Sequence, residues 1–197
     1  MADTRTDPRT GLLDRHAEAL RLFGERVHAI RDDQWDAPTP CADWTVRDLV
    51  NHVTGEQRWV LPLLDEGLTV ADVGDALDGD LLGDDPVAAW DTAATAARAA
   101  FTAPGALDRP VALSAGPTPG SAYCRELTCD CTVHTWDLSR AIGADERLPQ
   151  ALVELATEVV TPYAGDLAAS GMFAPPVEVP ADADAQTRLL GLTGRKA

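Results

Sequence analysis

Basic residues are scarce in this chain of 197 amino acids. Its 16 lysines and arginines stand against 32 aspartates and glutamates, which gives a formal net charge of -16, and Lys196 is the only lysine. So acidic a chain repels the phosphates of nucleic acids, and its few cations form no stripe that would attract an anionic membrane. The composition therefore predicts that neither nucleic acid nor a membrane surface is a partner.

Long apolar runs are missing as well. No segment approaches the roughly 20 apolar residues that cross a bilayer, and the first residues lack the apolar core of a signal peptide. We therefore expect a cytoplasmic protein. The four cysteines, Cys41, Cys124, Cys129 and Cys131, lack the paired spacing of a zinc knuckle, and in that compartment we expect them to be reduced thiols.

Two common catalytic signatures are also absent. The sequence has no G-x-S-x-G nucleophile elbow and no glycine-rich phosphate loop after a strand, which argues against serine hydrolase and nucleotide-binding chemistry. The length and the 45% hydrophobic content are those of an ordinary globular protein. We expect a single domain over residues 1–197, occurring as a monomer or a homodimer.

Several segments have apolar residues at helical spacing. Helices are predicted over 11–31, from the capping box of Thr45 and Asp48 to about Leu64, from Asp85-Pro86 through Phe101, from 121 to 142 before Gly143, and from Pro149 to about Pro162. Residues 104–120 are too rich in proline and glycine for a helix, and we expect a short extended piece there. The pattern predicts an all-α four-helix bundle over about 10–170, with an extended strap and a short helix in 171–197.

Two of these helices carry ionisable side chains on faces that are otherwise apolar. They are His52 and Glu56 on the second helix, and Asp130, His134 and Asp137 on the fourth. Asp130 and His134 are four residues apart, so both side chains point to one side of the helix, and His52 on a facing helix could supply a third ligand. Two imidazoles and a carboxylate suit zinc, or alternatively iron, with positions left open for water or substrate.

An ordinary structural role remains the alternative for each of these residues, because acid and histidine pairs at this spacing are common in helices that bind no metal. His16 and His28 are expected to be such ordinary core or surface residues. Glu56 is expected to orient His52 or to lie near the rim of the site rather than to bind metal.

Three stretches of the sequence carry a family resemblance. They are DQWDAPTPCADWTVRDLVNHVTG, CTVHTWDLSRAIGAD and GMFAPPVEVPADADAQTRLLGLTGR. Together they resemble the actinobacterial metal-binding family related to the N-terminal domain of mycothiol-dependent maleylpyruvate isomerase, within the DinB-like superfamily. The resemblance implies a DinB-like up-and-down four-helix bundle and a divalent metal, usually zinc, with iron or nickel as alternatives. It also implies the ligands His52, Asp130 and His134, with Asp137 supporting them or the helix packing.

The resemblance also implies mycothiol as a thiol cosubstrate. Coordination to a metal would hold the thiol as a thiolate, which could attack a small electrophile bound near Trp59 and Trp136. We therefore expect a thiol-dependent transferase or isomerase. Two alternatives stay open: a non-catalytic metal-binding bundle with a stress or ligand-binding role, and a metal-dependent hydrolase that uses water in place of the thiol. Asp130 stands where the isomerase has the longer glutamate, so it must approach the metal more closely.

Overall fold

The computed structural model describes residues 8–114, 116–163 and 174–197, which are mainly helical. The helices are α1 (Pro8–His28), α2 (Val46–Val60), α3 (Val70–Val73), α4 (Pro86–Thr102), α5 (Gly120–Ile142), α6 (Gln150–Val160) and α7 (Ala185–Leu192). Short 3-10 turns lie at Asp32–Gln34, Ala106–Asp108 and Thr161–Tyr163. None of the helices in this part of the chain is both long and apolar enough to cross a membrane.

The four long helices α1, α2, α4 and α5 form the predicted bundle. Helix α5 packs against α1 and α2, and α4 packs against the same two helices from the other side, which closes the ring. Helix α6 then packs on α5, and α7 packs on α6. This arrangement confirms the all-α bundle and places the C-terminal helix at its side.

Local signals set the ends of these helices. The Thr45 hydroxyl accepts a hydrogen bond from the Asp48 amide while the Asp48 carboxylate accepts one from the Thr45 amide, which is a capping box. Asp85 caps α4 through the Ala88 amide. After α5, Gly143 takes a left-handed conformation with φ of 72°. The starts and ends predicted at these positions are confirmed.

Three local features differ from the expectations. The single extended piece proves to be a hairpin, in which β1 (Pro110–Leu113) pairs antiparallel with β2 (Gly116–Pro119). Beyond Val60, α2 continues as a π-helical turn over Leu61–Asp65, because Pro62 has no amide hydrogen for the regular α-helical bond. Helix α3 was not predicted, although the same capping box that starts α2 recurs at its start.

The C-terminal appendage follows the prediction where it is described. From residue 174 to 184 the chain has no helix or strand, and α7 follows. The Val177 amide donates to the Gly191 carbonyl at 2.9 Å, which ties this extended segment to α7. The beginning of the predicted strap, at Phe173, lies outside the described residues.

His16 is an uncharged member of the bundle core. Its side chain is 1% exposed, and its ring meets the ring of Phe101 edge to face at a centroid distance of 5.0 Å. Burial, with help from the nearby Arg98, lowers the pKa of His16 to about 4. His16 is thus a core residue, one of the two ordinary roles expected for it, and burial explains why the ring is neutral at pH 7.

This buried ring should make the protein sensitive to mild acid. The unfolded chain takes up the His16 proton near pH 6.5 and the folded chain only near pH 4, so stability falls as the pH drops through that interval. Relative to His16→Leu, the wild-type protein should lose about 2 kcal/mol more of its unfolding free energy between pH 7.5 and pH 5. Urea unfolding of metal-stripped protein at the two pH values measures the difference.

The matched control is His28→Leu, which removes an exposed histidine from the same helix and should keep most of the wild-type dependence. If His16→Leu and wild-type protein lost equal stability over this interval, the neutral buried imidazole would be the wrong description.

Candidate metal centre

Helices α2 and α5 bring His52, Asp130 and His134 together, as their places on the two helix faces predicted. Asp130 lies between the two rings: its Oδ2 is 3.6 Å from His52 Nε2, and its Oδ1 is 3.4 Å from His134 Nε2. One nitrogen or oxygen atom from each residue lies within 4.8 Å of the others. Three donor atoms from two helices thus face a common point.

The donor set and its spacing fit a divalent metal. Ligand atoms about 2.1 Å from a tetrahedral zinc are about 3.4 Å from one another, close to the distances between Asp130 and the two histidines. Asp130 Oδ2 is moreover buried and has no hydrogen-bond donor. A buried carboxylate oxygen without a hydrogen bond is costly, and a metal ligated there would compensate it.

The three side chains are electrostatically coupled. Burial alone would raise the pKa of Asp130, but the adjoining His134 and His52 hold it below its usual range. Burial would likewise lower the pKa of His134, yet Asp130 and Asp137 raise it well above its usual value. The two carboxylates thus stabilise positive charge on the His134 ring.

Asp137 orients His134 from behind. His134 Nδ1 donates to Asp137 Oδ2 at 2.9 Å, which turns Nε2 toward Asp130. Asp137 itself is fully buried, and Arg195 donates to it from Nε (3.2 Å) and from Nη2 (2.7 Å). Asp137 thus contacts one candidate ligand, His134, and lies outside the group formed by His52, Asp130 and His134.

Sequence reasoning missed Arg195, which follows α7 and is 8% exposed. It also missed the position of Cys41. The Cys41 thiol donates to Asp137 Oδ2 at 3.3 Å and accepts from Arg195 Nη2 at 3.5 Å. Cys41, His134 and Asp137 form a second group of possible ligands, but the guanidinium of Arg195 beside them disfavours a cation there.

Trp44 lies over the site. Its ring is 4.9 Å from the His52 ring and stacks at 5.9 Å on His134, measured between centroids. The loop that carries it is held by the Thr39 hydroxyl, which donates to the Trp44 carbonyl at 3.0 Å. Trp44 therefore covers one side of both imidazoles, a role the sequence did not reveal beyond its place before a helix cap.

The other predicted pocket residues are distributed differently. Glu56 is half-buried one turn beyond His52, and burial together with Asp130 raises its pKa to about 7. Trp59 packs against the apolar core from the same face of α2. Trp136 is buried beneath Arg140, whose guanidinium is 4.4 Å from the ring centroid. The structure thus places Trp136 on another side of α5, away from the electrophile position expected for it.

Four-helix bundles commonly build metal sites from histidines and carboxylates on facing helices, and this chain has the bundle and such a set of side chains. The family is shown by the sequence: residues 16–139 match the family model of the mycothiol maleylpyruvate isomerase N-terminal domain, and the chain belongs to that family. Two relatives from Mycobacterium tuberculosis strains, the uncharacterized proteins MT0763 and Rv0738, are each 33% identical over 144 residues. These matches cover 71% of this chain and 72% of each relative.

Solved structures share the fold. The crystal structure of the mycothiol-dependent maleylpyruvate isomerase matches with a TM-score of 0.62 at 13% identity, over 85% of this chain and 75% of that chain. A histidine-to-alanine mutant of that isomerase matches with a TM-score of 0.61 at 12% identity, over 85% of this chain and 72% of the other. The predicted DinB-like bundle is thereby confirmed.

Arg195 should control both stability and metal retention. Arg195→Met leaves the Asp137 carboxylate buried without its cation, which should lower the unfolding free energy by about 3–5 kcal/mol. It should also weaken metal binding by about 10- to 100-fold, because His134 loses its fixed orientation. Denaturant unfolding and metal titration measure the two effects.

Arg147→Met is the matched control, since it removes an exposed arginine whose partner, Asp145, is also at the surface. Its stability should stay within about 1 kcal/mol of wild type. Unchanged metal affinity in folded Arg195→Met would show that the arginine does not act on the site.

Proposed function

We propose that this chain is a mycothiol-linked metalloenzyme of the isomerase or transferase type, with His52, Asp130 and His134 as the ligands of one divalent metal, most suitably zinc. The observation that carries the proposal is the convergence of these three side chains around a buried carboxylate oxygen, Asp130 Oδ2, that has no hydrogen bond. The family relation adds the thiol, because the isomerase that shares the fold is described as mycothiol-dependent.

A site with three protein ligands is typical of a catalytic metal ion rather than of a structural one. Structural zinc sites are normally closed by four protein ligands, whereas catalytic sites keep a position for an exogenous group. Glu56 is the residue that could close the shell, but it is outside both groups of possible ligands among the described residues. A metal held by His52, Asp130 and His134 would then be open to a small molecule.

The chemistry follows from the open position. A divalent metal there would lower the pKa of a coordinated thiol and hold it as a thiolate at neutral pH. Two other residues of the chain would assist this chemistry. Asp137 holds the His134 ring in position, and the indole of Trp44 keeps water from one side of the imidazoles. The thiolate sulfur would form a bond to an electrophilic carbon while the π bond of an enone, the C–O bond of an epoxide or the carbon–halogen bond of an alkyl halide breaks. The enolate or alkoxide so formed would take up a proton from solvent, and a halide would leave as the anion. An isomerase would release the thiol again, and a transferase would not.

Removing a ligand should remove both metal and activity. His52→Ala and His134→Ala should each abolish metal retention, measured by elemental analysis of purified protein, and also mycothiol consumption with a panel of epoxides, enones and alkyl halides. Glu56→Ala is the matched variant on the same helix face and should keep the metal.

Metal-loaded and metal-stripped protein distinguish the alternatives in the same assay. Equal rates in the two preparations, with mycothiol in the panel, would favour a non-catalytic metal-binding bundle. Metal-dependent ester hydrolysis without any thiol would favour a hydrolase, in which water takes the open position.

A further inference from the structure

We infer that Trp44 is a specificity-determining residue of this site, and that the electrophile it selects is a planar, conjugated molecule such as an aryl enone. The inference rests on the function proposed above and narrows its substrate class. Its basis is the position of the indole, which packs against both candidate imidazole ligands and belongs to a loop with one strained residue.

Three rings lie together at the candidate centre. The His52 and His134 rings meet edge to face at a centroid distance of 5.1 Å, and the Trp44 ring lies 4.9 Å from the first and 5.9 Å from the second. A point about 2.1 Å from both Nε2 atoms is about 3.2 Å from each imidazole centroid. The three ring separations then place that point within about 7 Å of the indole centroid. A molecule of a few atoms bound at the open position can therefore contact the indole.

The indole and the carboxylate ligand approach the imidazoles from different elements. Asp130 belongs to α5, whereas Trp44 belongs to the loop that precedes α2. A tetrahedral centre leaves its fourth position beside the two imidazoles and away from the carboxylate. The indole is half-buried, so part of its surface is open to a bound molecule. These features assign the indole to the wall of the open position.

The loop fixes the indole in this place. Asp43, just before Trp44, is the only residue other than glycine with a positive φ (64°) in the part of the chain that the structure describes. The Trp44 amide donates to the Cys41 carbonyl at 3.1 Å, and the Thr39 amide donates to the Trp44 carbonyl at 3.0 Å. Unfavourable backbone of this kind persists where the surroundings enforce it, and it is frequent at binding sites. The indole is therefore a preorganised surface.

A planar conjugated group gains most from such a surface. It can stack on the indole, and contact between two aromatic systems strengthens binding by about two- to tenfold beyond the effect of the apolar area that is buried. A saturated group of the same size buries apolar area but lacks this contact. Among the epoxides, enones and alkyl halides considered above, aryl enones are therefore the preferred electrophiles.

The binding test compares two thiols with the same skeleton, benzyl mercaptan and cyclohexylmethanethiol, which bring a planar or a saturated ring to the open position. Their affinities for cobalt-loaded protein are read from the sulfur-to-cobalt absorption. Trp44→Leu should reduce the preference for benzyl mercaptan by about two- to tenfold, whereas Trp44→Phe should keep most of it. The difference in acidity between the two thiols is the same in every variant, so it cancels in this comparison.

Turnover provides a second readout on the electrophile itself. With mycothiol as the thiol, Trp44→Leu should lower the rate with benzylideneacetone, a planar aryl enone, more than the rate with the cyclohexyl analogue of that enone. The expected difference is again about two- to tenfold. A loss of general packing at the site would lower both rates by the same factor.

Trp35→Leu is the matched control, because it removes another half-buried tryptophan, and the described ring contacts of the two imidazoles do not include Trp35. It should leave both preferences at their wild-type values. A wild-type preference in either assay of folded, cobalt-loaded Trp44→Leu would overturn the inference alone. If neither thiol altered the cobalt spectrum of wild-type protein, the proposed function itself would fail, and the inference with it.

Discussion

The ion pair between Asp137 and Arg195 is the interaction on which the rest of the site depends. Both side chains are buried, so each charge compensates the other. The Asp137 carboxylate therefore needs no metal ion to balance its charge. Asp137 also accepts from His134 Nδ1, which orients one of the three candidate ligands. Because Arg195 follows α7, the C-terminal appendage contributes a side chain to the surroundings of the candidate metal centre.

The candidate ligands could be predicted because helical spacing alone places them. Residues three or four apart share a face of a helix. The sequence therefore predicts that His52 shares a face with Glu56 and that Asp130 shares a face with His134. The position expected for Trp136, beside the candidate ligands, does not agree with this spacing. Trp136 is two positions from His134, which is about 200° around the helix, so it could not share the face of the ligands. The structure accordingly finds it beneath Arg140.

Arg195 and Trp44 could not be assigned from the sequence, for a different reason. The partners of Arg195 lie 58 and 154 positions away, so no local periodicity reports the contact. Trp44 precedes a helix cap, and only the path of the preceding loop decides that its indole turns onto the two imidazoles. The secondary structure shows the same contrast between features that local sequence determines and features that depend on contacts between segments. Capping signals located the helix ends. In residues 104–120 the sequence predicted one short extended piece, and it did not reveal that two short strands pair there as a hairpin.

The separation of the ligands along the chain has a thermodynamic consequence. His52 and Asp130 are 78 positions apart, as 130 minus 52, and they belong to different helices of the bundle. A metal that joins them acts as a cross-link that closes a long loop, much as a disulfide would, although a reversible one. Since the unfolded chain presents no such preformed site, the binding free energy adds directly to the folding free energy. The heat tolerance of this bundle would then track the concentration of free metal around it.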